Sequence, residues 1–299
     1  MNLAEQAHTI IKRLLELGIA PSHIEHSELG PFSIVNMFND VNSPIISDSV
    51  TTGFDENIDV AAMKALAEWT ERRAFDFGHE SGQTICQTDR SDGFAAYPTG
   101  VENHRALARQ NSFNESLERF VWATWWDNED ISFEISTDLS DLERSLIAIG
   151  SEFQNISQTI RIKPVIFGMD DHEVSIYFSE LTTGGFISGG ACDLKSNRKS
   201  TTIRAIGELI RHAQGANLIK NGQSAKTFYE RRLAYFLTEG GVKAVQSRLN
   251  KDGSKGVTLP KLKFDSEVFH PASDVIYVHR CLFENQPEFV GGALERLCL

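Results

Sequence analysis

Carboxylates and guanidiniums recur at helical spacing in three stretches of this sequence. In AAMKALAEWTER (61–72), Glu68 and Glu71 are three apart, and Arg72 follows four after Glu68. In NSFNESLER (111–119), Asn111, Glu115 and Glu118 are spaced by four and three, with Arg119 next. In STTIRAIGELIR (200–211), Arg204 and Glu208 are four apart, and Arg211 is three further on. Residues three or four apart share a helix face. A single such group is ordinary surface charge of little energetic weight. Three groups gathered in one place pose a different problem. Buried carboxylates without partners repel one another and are driven to protonate. A hard divalent cation removes that cost, and magnesium is commonly shared between carboxylates, water and nucleotide phosphates. Arg72, Arg119 and Arg204 would balance the acids or clamp phosphate oxygens. The expectation is a magnesium–nucleotide site lined by Glu68, Glu71, Glu115, Glu118 and Glu208.

Three helices must position these side chains. Ala62, Ala65, Leu66 and Trp69 make the apolar stripe of the first. The second is read from about Glu102 to Trp126, with Leu107, Phe113, Leu117, Phe120 and Val121 as its stripe. The third spans Ser200–Gln214, with Ile203, Ile206 and Ile210. A short strand and a glycine turn are expected before each: Thr51-Thr52-Gly53, Asp92-Gly93 and Gly189-Gly190. The plan is strand, turn, helix, carboxylate. The segment TTGGFISGGAC (182–192) matches neither GxxxxGK[ST] nor GxGxxG. Its four glycines permit close backbone approach or unusual φ/ψ, and a strand bounded by turns is the plainer reading.

Elsewhere, Leu3–Leu15 repeats at helical spacing and Gly18 stops it. PFSIVN (31–36), PIIS (44–47), Gly93–Thr99, Ile131–Thr137, Ile160–Phe167, Val174–Leu181 and Asp274–Leu282 read as strands, and His79–Asp92 as a polar loop. Asp138 or Ser140 is expected to cap a helix over Leu142–Ile149 that Gly150 ends. Helices are read over Ala225–Leu237 and Val242–Leu249, and a basic surface loop over Lys251–Lys263. Trp122, Trp125 and Trp126 crowd the end of the second helix and read as core or interface, which makes a homodimer reasonable.

The chain has 299 residues and a formal net charge of −12, which disfavours a general nucleic-acid binder. Cys86, Cys192, Cys281 and Cys298 show no CxxC spacing, so a zinc knuckle or thioredoxin-like motif is not expected. MNLAEQAHTIIKRLLELG lacks a continuous apolar h-region, and no run approaches the roughly 20 apolar residues of a membrane span. A cytoplasmic protein is the expectation.

The ordered set GFDENIDVAAMKALAEWTER, GFAAYPTGVENHRALARQNSFNESLER and GGACDLKSNRKSTTIRAIGELIR resembles the three nucleotide-site segments of the YcaO family of ATP-dependent peptide-modifying enzymes. The resemblance covers roughly residues 25 to 285 and leaves an N-terminal helix (1–24) and a tail (286–299). It implies a single mixed α/β (α+β) domain, with repeated strand–turn–helix units around a carboxylate-lined ATP site. It also implies that Glu68, Glu71, Glu115, Glu118 and Glu208 hold magnesium against ATP. Asn111 falls where a polar ligand is expected, and Arg204 where a phosphate contact is. Arg119 would balance charge beside them. Family members activate a peptide-bond carbonyl with ATP, and the products are azolines, thioamides or amidines. Cyclodehydration is the expected reaction, on a precursor peptide with a separate leader-recognition partner. The chain departs from the pattern at Lys64, usually a small hydroxyl residue, and at Arg211, usually Gln. Both would be phosphate ligands in a variant site, or equally a permanent positive charge filling the site of a protein that no longer turns over ATP. A lysine expected beside the first glycine is absent, and the chain ends LERLCL where many azoline-forming members carry a proline-rich tail.

Overall fold

The computed structural model describes residues 2–38, 50–80, 92–169, 171–251, 253–289 and 294–296. PIIS (44–47), most of the 79–92 segment, Cys86 and Cys298 lie outside them. The chain forms two compact units. The first comprises Met1–Thr88, Asp92–Phe113 and Leu262–Leu282; the second comprises Asp89–Ser91, Asn114–Lys261 and Phe283–Leu299.

The first unit begins with α1 (Leu3–Glu16), capped by Asn2 and Glu5 in a reciprocal pair of hydrogen bonds. Gly18, at φ 69°, turns the chain out of it as expected. Strands β1 (His23–Leu29), β2 (Phe32–Phe38) and β3 (Val50–Asp55) form an antiparallel sheet in that order. Helix α2 (Ile58–Glu80) packs on it through Ala61, Ala65, Leu66 and Trp69, and β4 (Gly93–Pro98) adds Phe94 and Ala96 to the same core. A second sheet, in the order β11–β12–β4, is built from β11 (Leu262–Glu267), β12 (Ile276–Phe283) and β4. Strand β1 has no counterpart in the sequence reading. Its sequence HIEHSEL is exposed over six of its seven residues, so no apolar alternation marks it. Thr51-Thr52-Gly53 is not the expected turn but the middle of β3. Gly53 serves close packing instead: a Cβ there would stand 1.8 Å from the Ala61 carbonyl oxygen.

Helix α3 (His104–Asp127) carries the chain from the first unit into the second at Phe113/Asn114. The second unit has an antiparallel sheet in the order β5–β6–β8–β9, made by β5 (Phe133–Ser136), β6 (Ile156–Pro164), β8 (His172–Leu181) and β9 (Phe186–Leu194). A parallel pair, β7 (Ile166–Phe167) with β10 (Val257–Thr258), occupies part of what reads as a basic loop. Helix α4 (Asp141–Gln154) is capped by Ser140, runs through Gly150 and ends at Asn155 in the left-handed region. Gly150 does not stop it, because its role is contact: a Cβ there would meet Ile156 and Ile210. Helix α5 (Arg198–Lys220) is longer at both ends than the sequence reading. Helices α6 (Phe228–Phe236) and α7 (Glu239–Leu249) follow.

Trp122 and Trp125 are wholly buried inside this unit, against Phe178, Phe289 and Phe133, and Arg248 lies over the Trp125 ring. Trp126 stacks on Phe178 and meets Phe236 edge-on. The tryptophan-rich end of α3 is therefore core, which removes the basis on which a homodimer was expected. Among the described residues, no helix is long and apolar enough to cross a membrane.

Candidate functional site

Four of the five glutamates share one local arrangement. Each lies on a helix and accepts a hydrogen bond from a backbone N–H of a neighbouring strand. Thr52 N–H donates to Glu68 Oε2 at 3.2 Å, and Ala96 N–H to Glu71 Oε1 at 2.8 Å. Cys192 N–H donates to Glu118 Oε2 at 3.2 Å, and Gly190 N–H to Glu208 Oε2 at 2.8 Å. The donors sit on β3, β4 and β9, each of which ends its sheet in the order of the described strands. An edge strand presents N–H groups that no ladder satisfies, and a carboxylate is a strong acceptor for them. The geometry fixes one oxygen of each carboxylate and orients the group.

In the first unit, Arg72 donates to Glu68 Oε1 at 2.5 Å and also caps the Val50 carbonyl. Glu68 and Glu71 lie on α2, whose face reaches β3 through the one and β4 through the other. Lys64 is turned away to β3. It pairs with Asp55 at 2.7 Å and donates to the Phe54 carbonyl at 3.1 Å. Asn111 donates its side-chain amide to the Tyr97 hydroxyl.

The second unit gathers Glu115, Glu118 and Glu208 with Arg119, Arg204 and Arg211. Glu118 and Glu208 reach β9 from α3 and α5, two residues apart on the same edge. Close approach is possible because β9 carries the adjacent glycines Gly189, against α5, and Gly190, against α3. A Cβ on Gly189 would stand 2.4 Å from the Ala205 carbonyl oxygen, and one on Gly190 would stand 2.4 Å from the Trp122 ring. Neither glycine has positive φ; that need falls on Gly184 and Gly185, in the turn between β8 and β9.

Burial and mutual repulsion make this group electrostatically uncomfortable. Desolvation first, then the nearby Glu208 charge, push the Glu118 carboxyl from the ordinary 4.5 up to about 8, against the opposing pull of Arg204 and Arg119. Desolvation raises Glu208 to about 7, while Arg211 and the Gly190 N–H pull it down. Arg119 pairs with Glu115, and Arg211 stands 3.9 Å from Glu208. Arg204 acts on both raised carboxyls through space. Two like-charged carboxyls that resist ionisation are what a divalent cation relieves, so the donor set fits a hard metal ion. Cys192, on the same strand, is buried, and desolvation holds its thiol well above the usual range. It is a packed thiol rather than a nucleophile.

The helix spacing marked the acids, but nothing in the sequence marked the strand N–H groups of Thr52, Ala96, Gly190 and Cys192 as their partners. They come from 16, 25, 18 and 74 residues away. The glycines at Gly53, Gly189 and Gly190 were the one visible sign, since each lies at or beside a donor.

No family model matches the chain, and no curated protein matches it. Solved structures do. A YcaO from Methanopyrus kandleri, bound with AMPPCP and Mg2+, superposes with a TM-score of 0.62 at 14% identity, covering 98% of this chain and 95% of that one. The E. coli microcin synthetase McbBCD complex with pro-MccB17 bound matches with a TM-score of 0.59 at 10% identity, covering 87% of each chain. The mixed α/β arrangement of helices and sheets described above is a YcaO-like fold.

Proposed function

We propose that this chain is a magnesium- and ATP-dependent enzyme that activates a peptide backbone amide. Its expected reaction is cyclodehydration of Cys, Ser or Thr in a ribosomally made precursor peptide, giving azolines. The observation that carries this reading is the Glu118–Glu208 pair: two carboxyls raised to about 8 and about 7 beside Glu115 and Arg204, in a YcaO-like fold. It is supported by the M. kandleri neighbour, which is bound with AMPPCP and Mg2+. Bound ATP would supply the phosphoryl group that turns the attacked carbonyl oxygen into a leaving group.

The chain's own share is positioning and charge. Glu115, Glu118 and Glu208 are the proposed magnesium ligands of the second unit, and Glu68 and Glu71 are proposed ligands of the first on the resemblance. Arg204, Arg119 and Arg211 are the proposed phosphate contacts. In the first unit, Asn111 on the resemblance, and Lys64 as a departure from it, are the proposed nucleotide contacts. Burial and the neighbouring Glu208 favour the protonated form of Glu118, and binding of a cation would displace that proton. The strand N–H groups of Cys192 and Gly190 keep the two carboxylates aimed while that happens. The precursor peptide and a separate protein that recognises its leader are the proposed partners, in line with the E. coli complex, which has pro-MccB17 bound.

The test is to incubate the protein with magnesium, ATP and the precursor peptide, and to weigh the peptide. Loss of one water per modified residue is expected. Exchange of oxygen for sulfur would transfer the proposal to thioamidation. An unchanged peptide with no ATP consumed would overturn it. A non-catalytic scaffold that binds peptide or nucleotide is a second reading. It is favoured by the guanidinium of Arg211 at 3.9 Å from Glu208, a fixed positive charge in the place of a neutral side chain. Magnesium-dependent nucleotide binding without hydrolysis would select it.

A further inference from the structure

A second cluster of metal-binding side chains lies wholly in the first unit, on elements that the carboxylate site does not use. His279 and Cys281 are two apart on β12, so they project to one face of the sheet. Asp265 comes from the adjacent strand β11. Cys281 and His279 are buried, and the Asp265 side chain is 20% exposed. Cys281 Sγ is 3.5 Å from Asp265 Oδ1 and 4.0 Å from His279 Nδ1, and His279 Nε2 is 3.5 Å from Asp265 Oδ1. One donor atom from each residue falls within 4.8 Å of the others, and this is the one such group of His, Cys and acidic residues found among the described residues. Tetrahedral zinc bonds of ordinary length place their ligand atoms roughly 3.4–3.6 Å apart. The Cys281 Sγ–Asp265 Oδ1 and His279 Nε2–Asp265 Oδ1 separations, both 3.5 Å, fall in that range.

The surroundings resemble the outer bonds of a metal site. Arg109 Nη2 donates to Asp265 Oδ2 at 2.5 Å, and its Nε reaches both carboxylate oxygens at 3.1 Å. Ser112 Oγ, on α3, is 2.9 Å from both His279 Nδ1 and the Arg109 carbonyl. The hydroxyl has one hydrogen. Given to the Arg109 carbonyl, or to Cys281 Sγ at 3.4 Å, it leaves Oγ to accept from Nδ1–H, and Nε2 then faces Asp265 Oδ1 as a lone pair; given to Nδ1, it leaves Nε2–H to donate to Asp265. In the first arrangement two acceptors face each other 3.5 Å apart and repel. A cation between them turns the contact favourable. An imidazole held by a hydroxyl and a carboxylate held by a guanidinium are the outer-shell partners such ligands carry.

We propose that Asp265, His279 and Cys281 form a binding site for a transition-metal ion of the zinc class, with a fourth position open to water. A thiolate and an imidazole beside one carboxylate select zinc or cobalt over magnesium, so the site is chemically distinct from the glutamates. Binding exchanges the Cys281 thiol proton for the metal and releases that proton to solvent, with no change of oxidation state. The bound ion would tie β11 to β12.

The test is titration of the purified protein with cobalt(II), read by its near-ultraviolet thiolate charge-transfer band, with zinc content measured in parallel. One ion per chain is expected, displaced by zinc and not by magnesium. The band should vanish in Cys281→Ala and in His279→Gln, and survive in Cys192→Ala. Asp265→Asn, at a partly exposed position that should fold regardless, should weaken cobalt binding at least about tenfold. A wild-type protein without the band overturns the proposal. So does a band undiminished in folded Cys281→Ala or Asp265→Asn.

Discussion

At the scale of the residue, the account turns on what Glu118 and Glu208 cost the folded protein. Their carboxyls stand at about 8 and about 7, above the ordinary 4.5. A raised folded-state value means that folding favours the protonated form. The associated stability is full below about pH 4.5 and is lost as pH rises through 7 to 8. Without a divalent cation, the melting temperature should therefore fall from pH 5 to pH 9. Glu118→Gln should flatten that slope and raise the melting temperature at pH 8. Magnesium with nucleotide should restore wild-type stability at pH 8 but not the variant's, since a ligand has been removed. A slope unchanged by Glu118→Gln would show that these carboxyls do not carry the strain. The acids themselves were legible in the sequence, because a helix converts spacings of three and four into a shared face. Their proton affinities were not. Those depend on Arg204 and Arg211 across α5 and on burial by strands that no local pattern identifies.

At the scale of the element, the carboxylates finish sheet edges as well as offering ligands. Glycine at Gly53, Gly189 and Gly190 lets the helices come close enough for this. Gly190→Ala would drive a methyl to 2.4 Å from the Trp122 ring, and Gly53→Ala to 1.8 Å from the Ala61 carbonyl. Overpacking of this kind costs about 1–3 kcal/mol. The Gly53 variant should lose more, because backbone cannot swing aside as a side chain can. Urea titration of both variants checks this, and wild-type midpoints would contradict it. The same glycines explain two misreadings, for Gly189-Gly190 lies within β9 and not in a turn before a helix. A glycine before a helix suggests a turn, yet Gly53 lies in β3 because the helix needs a strand without a Cβ at that point. The periodic helices α1, α2, α3 and α5 were legible from their apolar stripes. The strand β1 was not, since polar residues dominate both of its faces and six of its seven residues are exposed.

At the scale of the whole molecule, the order of three modest motifs carried more than any one of them. At 14% identity to a solved YcaO, what is shared is the arrangement of helices and strands. The two-unit division of the chain was not legible, because each unit is assembled from separated segments and α3 belongs to both. If the glutamates serve nucleotide chemistry, the precursor peptide should lose water only when magnesium and ATP are both present, and Arg204→Met should slow that loss at least about tenfold. The most direct test is calorimetric titration of a non-hydrolysable ATP analogue at pH 7.5, with and without magnesium, into the wild type and Glu118→Gln. Binding should require magnesium, release a proton to the buffer, and weaken at least about tenfold in the variant. Binding that ignores magnesium, or equal affinity in wild type and Glu118→Gln, would contradict it.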